Sequence, residues 1–238
     1  MVFRVSPKVG REGGSFLPLP SPTSAGEGVL PYLQRSETRR DMPYAVRGLS
    51  PGTQKVLTLT EGQRVRHGLV IGRDVVPCIT TLRQLPADAN SLDEQLHREQ
   101  YRAREQKCWL IRTDAPPSGA LTAYLESVPP GEYQTSTCLS RETWWRFRMP
   151  PIPPVVISMS FKGSFPKAVQ NLAAVRAVGG VYGIYAVTDA QAQSIVTGLN
   201  GLDIRSRIVA HSNGLRKIEV GQLNYLLAKV FPLSQAGT

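Results

Sequence analysis

Four prolines within the six residues Met149-Pro150-Pro151-Ile152-Pro153-Pro154 fix the backbone φ angle and remove backbone donors. This stretch can form neither a helix interior nor a central strand, so it must run extended. Directly before it stands Arg141-Glu142-Thr143-Trp144-Trp145-Arg146-Phe147-Arg148, which holds two of the chain's three tryptophans, a phenylalanine and three arginines. Flat π-surfaces interleaved with guanidinium groups suit contact with the phosphates and bases of nucleic acid. The same aromatic side chains suit core or interface packing, with the arginines as solvated edges. Residue types alone leave both readings open.

Charge distribution favours the first. The formal net charge is +10, and residues 141–238 hold 11 basic and 4 acidic side chains against 11 and 10 in residues 43–140 and 6 and 4 in residues 1–42. An excess of this kind neutralises phosphates and releases counterions, so a polyanion is the natural partner. No stretch reaches the roughly 18 apolar residues needed to span a bilayer, and no basic amphipathic helix stands out, so no membrane partner is expected.

With 238 residues and 41% hydrophobic content, the chain can bury a substantial core in one large domain or two small ones. Met1 to Gly14 carries no apolar core of a secretory signal. Cys78, Cys108 and Cys138 are an odd number with no C-x-x-C pair, which fits reduced thiols in a cytoplasm and argues against a disulfide framework or a zinc site. Gly10 to about Glu27 is rich in Gly, Pro and Ser. We expect residues 1–42 to be a disordered or linker-like segment and residues 43–238 to be folded, in one unit or in two lobes of about 43–140 and 141–238.

Local patterns divide the folded part into short elements. Tyr44 to Arg47 and Gln54 to Leu59 have strand character, joined by a turn through Gly48-Leu49-Ser50-Pro51-Gly52. Thr60 with Gln63 forms a capping-box signal, and Gly68 a stop. Val75–Leu82 and Cys108–Ile111 read as extended, Ser91 as the cap of a surface helix from Leu92 to about Arg104, and Ser118–Ser127 as a short helix. Val155–Phe161, Val181–Val187 and Ile204–Ala210 read as strands, Thr188 or Asp189 as the cap of a helix ending before Gly201, and Gly221–Val230 as a closing helix. The mixture, without regular β–α alternation, predicts an α+β fold of irregular, curved mixed sheets and short helices, with no Rossmann methyltransferase domain.

The chain offers little of the machinery of catalysis. It has no G-x-G-x-x-G turn and no phosphate-binding P-loop, and its three histidines, His67, His97 and His211, stand far apart. No catalytic, cofactor-binding or metal-binding residue is singled out. Binding features are more numerous. Phe161-Lys162-Gly163-Ser164-Phe165-Pro166-Lys167 sets two lysines and two aromatic rings on a turn, and Asn213-Gly214 makes a tight turn with His211, Ser212, Arg216 and Lys217 near its rim. Arg pairs bidentately with guanine and Asn with adenine, while Lys and Ser more often hold phosphate. Plain solvated hairpins would look the same.

The order Val46-Arg47-Gly48-Leu49-Ser50-Pro51-Gly52-Thr53-Gln54-Lys55-Val56, Cys108-Trp109-Leu110-Ile111, Arg141 to Arg148 and Asn213-Gly214-Leu215-Arg216-Lys217-Ile218 resembles the C-terminal target-recognition (specificity) domain of TaqI-like adenine-specific DNA methyltransferases of restriction–modification systems. The resemblance spans residues 43 to 231. It implies sequence-specific recognition of duplex DNA, with S-adenosylmethionine and the catalytic Asn-Pro-Pro-Tyr type motif supplied by a catalytic methyltransferase domain or subunit outside this sequence. Met149-Pro150-Pro151-Ile152 has neither the amide nor the aromatic ring of that motif. It also implies DNA contacts from Arg47, Gln54 and Lys55, from Trp144, Trp145, Arg146 and Arg148, from Lys162 and Lys167 on phosphates, and from His211, Ser212, Asn213, Arg216 and Lys217 on a loop reaching base edges. An RNA-binding module and a non-catalytic protein-interaction subunit of a nucleic-acid-modifying complex are the alternatives.

Overall fold

The computed structural model describes residues 42–209 and 214–231. In chain order the strands are β1 Tyr44–Arg47, β2 Thr58–Leu59, β3 Val75–Ile79, β4 Ser91–Leu92, β5 Trp109–Ile111, β6 Val155–Ser158, β7 Ser160–Phe161, β8 Ala168–Asn171, β9 Arg176–Ala177, β10 Val181–Tyr185 and β11 Arg216–Lys217. The α-helices are α1 Gln54–Leu57, α2 Glu61–Arg66, α3 Glu94–His97, α4 Gly119–Glu126, α5 Ser136–Leu139, α6 Asp189–Asn200 and α7 Val220–Val230. The fold is α+β with open mixed sheets.

A five-stranded sheet of order β1-β10-β6-β8-β4 is antiparallel except for the β4–β8 pair. A four-stranded sheet of order β2-β5-β3-β9 ends in a parallel β3–β9 pair, and β7 and β11 form a separate antiparallel ribbon. The five-stranded sheet has an apolar core on each face, as the two-residue side-chain period of a strand allows. Val155, Ile157, Ala168, Tyr182 and Ile184 join α6 and α7 in one core. Val156, Val169 and Val181 join the other, built around Trp109, Leu57, Leu59 and Tyr101. Strands from both sides of residue 140 therefore share this sheet.

Glycine solves two local problems in the first turn. A Cβ at Gly48 would lie 2.3 Å from the Val181 carbonyl oxygen, where Leu49 bridges to Val178. Gly52 has φ +96°, in the left-handed region that side chains avoid.

Several local signals give the observed elements. Thr60 and Gln63 complete their reciprocal cap, as do Thr188 and Gln191 at the start of α6. Gly68 follows α2 with φ +62°, and Ser118 caps α4 through the Leu121 N–H. Other elements differ from expectation. Gln54–Leu57 is a single helical turn that buries Val56 and Leu57, so only Thr58–Leu59 remains for pairing with β5. The helix expected from Leu92 begins later, because Ser91 and Leu92 pair with Gln170 and Asn171 of β8, and a cross-chain ladder outweighs a local cap. Asp93 then caps α3 by accepting from the Leu96 N–H at 2.7 Å, and Arg98–Arg102 continues it as a π-helix that buries Tyr101. The strand expected over Ile204–Ala210 is a 3₁₀ turn at Arg205–Arg207 among the described residues, placing Ile204 and Ile208 in the core; residue 210 lies outside them. The long strand expected over Val155–Phe161 breaks at Met159 into β6 and β7.

Asparagine side chains complete the backbone pairing at several points. Asn224 of α7 accepts from the Ala45 N–H at 2.6 Å and donates to the Ala45 carbonyl at 3.1 Å. Asn200 at the end of α6 does the same for Ala168, at 3.0 and 2.9 Å. Buried Asn171 donates to the Pro153 and Val175 carbonyls and accepts from the Val175 N–H. Asn224→Ala leaves both Ala45 groups without this partner and is expected to cost about 1–3 kcal/mol, read from the urea unfolding midpoint.

Trp109 is fully buried, with the Arg102 guanidinium 4.5 Å and that of Arg64 5.8 Å from its ring centroid. Its indole N–H donates to Glu61, which also pairs with Arg64 at 2.7 Å. The Arg64 hydrogen bond, followed by the Trp109 donor and the nearby Arg102 charge, holds the Glu61 carboxyl below its usual range although desolvation opposes this. A depressed folded-state value stabilises the fold above the unfolded carboxylate range of about pH 4.3, and that contribution fades as pH falls through the folded value. Glu61→Gln should therefore be less stable than the parent at pH 7, with the gap closing toward pH 3. Paired urea titrations at the two pH values read this directly.

Candidate nucleic-acid interface

The ribbon arises where the chain leaves the five-stranded sheet. After Ser158 the backbone turns at Met159, and β7 pairs with β11 so that Phe161 faces Arg216 and Ser160 faces Lys217. The Ile218 N–H donates to the Met159 carbonyl at 3.0 Å, and the buried Tyr182 hydroxyl donates to the Ile218 carbonyl at 2.9 Å. The ribbon is thus anchored on the sheet.

Beside it opens a cleft of about 600 Å³. Its apolar lining includes Leu82, Leu85, Phe161 and Phe165, and its cations are Arg83, Lys162 and Lys167. Arg83 and Lys162 are exposed and have no side-chain partner among the described residues. Lys167 is committed to structure: its ammonium donates to the Pro86 and Ala87 carbonyls, tying the 82–87 loop to the strand that follows the cleft. Burial, only partly offset by Asp88, lowers its pKa from the ordinary lysine value.

Arg216 donates to the Arg205 carbonyl at 3.0 Å, so the 3₁₀ turn carrying Arg205 and Arg207 packs beside the ribbon. Glu219 joins two further cations, with Arg47 at 2.5 Å and Lys217 at 2.8 Å. The Lys217 hydrogen bond, with help from the Arg47 charge, holds the Glu219 carboxyl below its ordinary value against desolvation. Arg205 is similarly paired with Asp203 at 2.5 Å. Around the ribbon, Arg47, Arg83, Lys162, Lys167, Arg205, Arg216 and Lys217 meet only Asp88, Asp203 and Glu219 among these contacts. Net positive charge remains beside an apolar-floored cleft.

The structure thus gathers Arg47, Lys162, Lys167, Arg216 and Lys217 about the ribbon. His211, Ser212 and Asn213 lie outside the described residues. The remaining candidates belong to another region. Lys55 pairs with Glu132 at 2.7 Å, and Gln54 lies against Gly179, where an added Cβ would meet its Oε1 at 2.5 Å. Trp144 stacks on Tyr133 with centroids 4.1 Å apart and planes 9° from parallel, and Trp145 lies with them along a separate slot. Both tryptophans are partly buried against the Trp109 core and share no cleft lining with the ribbon. Arg141 braces this segment by donating to the Pro51 and Trp144 carbonyls, whereas Arg146 and Arg148 are exposed. Arg146 sits 5.9 Å from the Trp145 ring centroid.

Arg83 and Arg205 are members of the basic face that the sequence patterns do not single out. Arg83 follows an apolar run and carries no motif; only the folding of its loop toward β7 brings it there. Arg205 has a visible signal, its positive charge beside Ile204, but the surrounding pattern predicts a strand where the structure has a 3₁₀ turn.

The buried titratable groups serve packing. Cys78, Cys108 and Cys138 are all buried and free, and desolvation raises the Cys108 thiol to about 12 and the Cys78 thiol well above its ordinary value. His97, stacked on Tyr101, is pushed down to about 4 by burial, with Arg102 adding to the shift. It is neutral near pH 7. No group of three or more His, Cys, Asp or Glu side chains among the described residues could hold a metal ion, and no described helix is long and apolar enough to cross a membrane. No family model matches this chain, and no curated protein matches it in sequence.

Proposed function

We propose that this chain recognises duplex DNA through the β7–β11 ribbon and its basic surroundings, as the specificity part of an adenine-specific DNA methyltransferase. The observation carrying the DNA-binding part is the placing of Arg83 and Lys162 in the lining of one open cleft, with Arg216 on the strand that pairs with Phe161 of that lining. A two-stranded ribbon is narrow enough to enter a major groove about 12 Å wide, and cations flanking it contact the phosphates on either side. Lys217 of the ribbon and Arg47 of β1 share Glu219 as ion-pair partner. The methyltransferase assignment rests on the order of sequence motifs. In that reading S-adenosylmethionine and the base-modifying groups reside on a catalytic partner, and the free buried thiols fit work in a reducing cytoplasm.

Fluorescence anisotropy with a labelled duplex of about 30 base pairs, at two salt concentrations, tests the proposal. Binding should weaken steeply with salt, by roughly 0.9 log units per log unit for each phosphate contact made. Tighter binding of single-stranded RNA than of duplex DNA would replace the DNA reading by an RNA one. Absence of binding to either at low salt would remove nucleic acid altogether.

Lys162→Ala alone should lower the salt slope by about one contact without changing the unfolding midpoint, because its side chain is exposed and has no partner among the described residues. Anisotropy titration across salt, beside a thermal melt, checks both halves of that expectation.

A further inference from the structure

A second concave surface lies against the other core. Pro117, Thr122, Glu126, Tyr133, Trp144 and Trp145 line a slot of about 310 Å³. The near-parallel Tyr133 and Trp144 rings form one aromatic wall, and both tryptophans remain partly exposed. Glu126 is exposed at its rim and has no side-chain partner among the described residues. Aromatic-lined grooves of this kind take polyproline II segments, whose stiffness limits the entropy lost on docking.

The chain itself contains such a segment. Phe16-Leu17-Pro18-Leu19-Pro20-Ser21-Pro22 has proline at every second position. At three residues per turn, Phe16, Leu19 and Pro22 fall on one ridge of a polyproline II helix and Leu17 and Pro20 on the next. Two adjacent apolar ridges are what an aromatic slot receives. Upstream, Arg4, Lys8 and Arg11 outnumber the one acid, Glu12, so that stretch carries net charge opposite to that of Glu126.

We propose that Phe16–Pro22 docks as a polyproline II segment in the Tyr133–Trp144–Trp145 slot of its own chain. The described chain begins at Met42, so nineteen residues join it to Pro22. A coil of that length spans roughly 25 Å end to end on general grounds, against a radius of gyration of about 16 Å for a domain of this size. The slot is within reach. Tethering of this kind gives an effective concentration on the order of 1 mM, sufficient to occupy a site whose affinity for the free peptide is weak.

The test uses the full chain with ¹⁵N-labelled tryptophan and a nitroxide attached through Ser15→Cys, the three native cysteines being buried. Docking predicts stronger paramagnetic broadening of the Trp144 and Trp145 indole N–H signals than of Trp109, and loss of that difference when Pro18, Pro20 and Pro22 are all replaced by glycine. Equal broadening of all three indoles, or a difference that survives the triple substitution, would overturn the proposal. A mixture of nitroxide-bearing unlabelled chain and ¹⁵N-labelled chain without nitroxide separates docking within a chain from exchange between copies. Broadening in that mixture as strong as within one molecule would assign the slot to a second copy and likewise overturn it.

Discussion

Replacing Arg83, Lys162 and Arg216 together by alanine is expected to weaken duplex DNA binding by roughly 10²–10³-fold at 0.1 M salt, with the salt slope falling by nearly three contacts. Each phosphate contact contributes about 0.9 to the slope of log affinity against log salt, or roughly eightfold at that concentration. These positions suit the test because the folded state demands little of them. Arg83 and Lys162 are exposed, and the Arg216 side chain gives up only exposed hydrogen bonds to the Arg205 and Gly214 carbonyls. Lys167 and Lys217 would be poorer choices, since one ties down the cleft wall and the other pairs with Glu219. Parallel measurement of the unfolding midpoint separates lost contact from lost structure. An unchanged affinity and slope would exclude the ribbon as the interface, even if the protein bound DNA elsewhere.

The largest stability effect is expected at Trp109. Its side chain is fully buried in the first core, is flanked by two guanidinium groups, and donates its only polar hydrogen to Glu61. Trp109→Ala removes a large apolar volume and leaves Arg64, Arg102 and Glu61 around a cavity, so a loss of about 3–5 kcal/mol is expected. For a domain of this size that corresponds to a fall in melting temperature of roughly 6–20 °C. Trp109→Phe keeps part of the volume but lacks the donor. It should therefore lose less than Trp109→Ala and still remove the hydrogen bond holding Glu61. Equal melting temperatures for parent and Trp109→Ala would contradict the central role assigned to this residue.

Local chemistry was legible where a few adjacent residues settle the outcome. Thr188 with Gln191, and Thr60 with Gln63, announce helix starts because a cap is built from its own turn. The strand at Trp109–Ile111 and the helix at Gly119–Glu126 likewise follow from their own apolar patterns. Elements settled by distant partners were not legible. Ser91 has the chemistry of a cap, but β8 takes it into a parallel ladder. Gln54–Leu57 carries apolar residues compatible with either period, and burial of Val56 and Leu57 together selects one helical turn. The basic ribbon was half visible. Lys162, Arg216 and Lys217 could be named from their loops, whereas Arg83 joins them only through the fold. The paired tryptophans carried the strongest signal in the sequence, yet they stand against the first core and line a different surface from the ribbon.

The asparagine on α7 also limits how another polypeptide can extend the five-stranded sheet. Strand addition needs a free backbone N–H and carbonyl along the margin of a sheet. At β1 those groups of Ala45 already face the side-chain amide of Asn224, and at the opposite margin β4 is only two residues long, with Asn200 taking over at Ala168 where it ends. Neither margin offers an incoming strand a continuous ladder. At these two margins a partner would meet side-chain amides rather than free backbone groups.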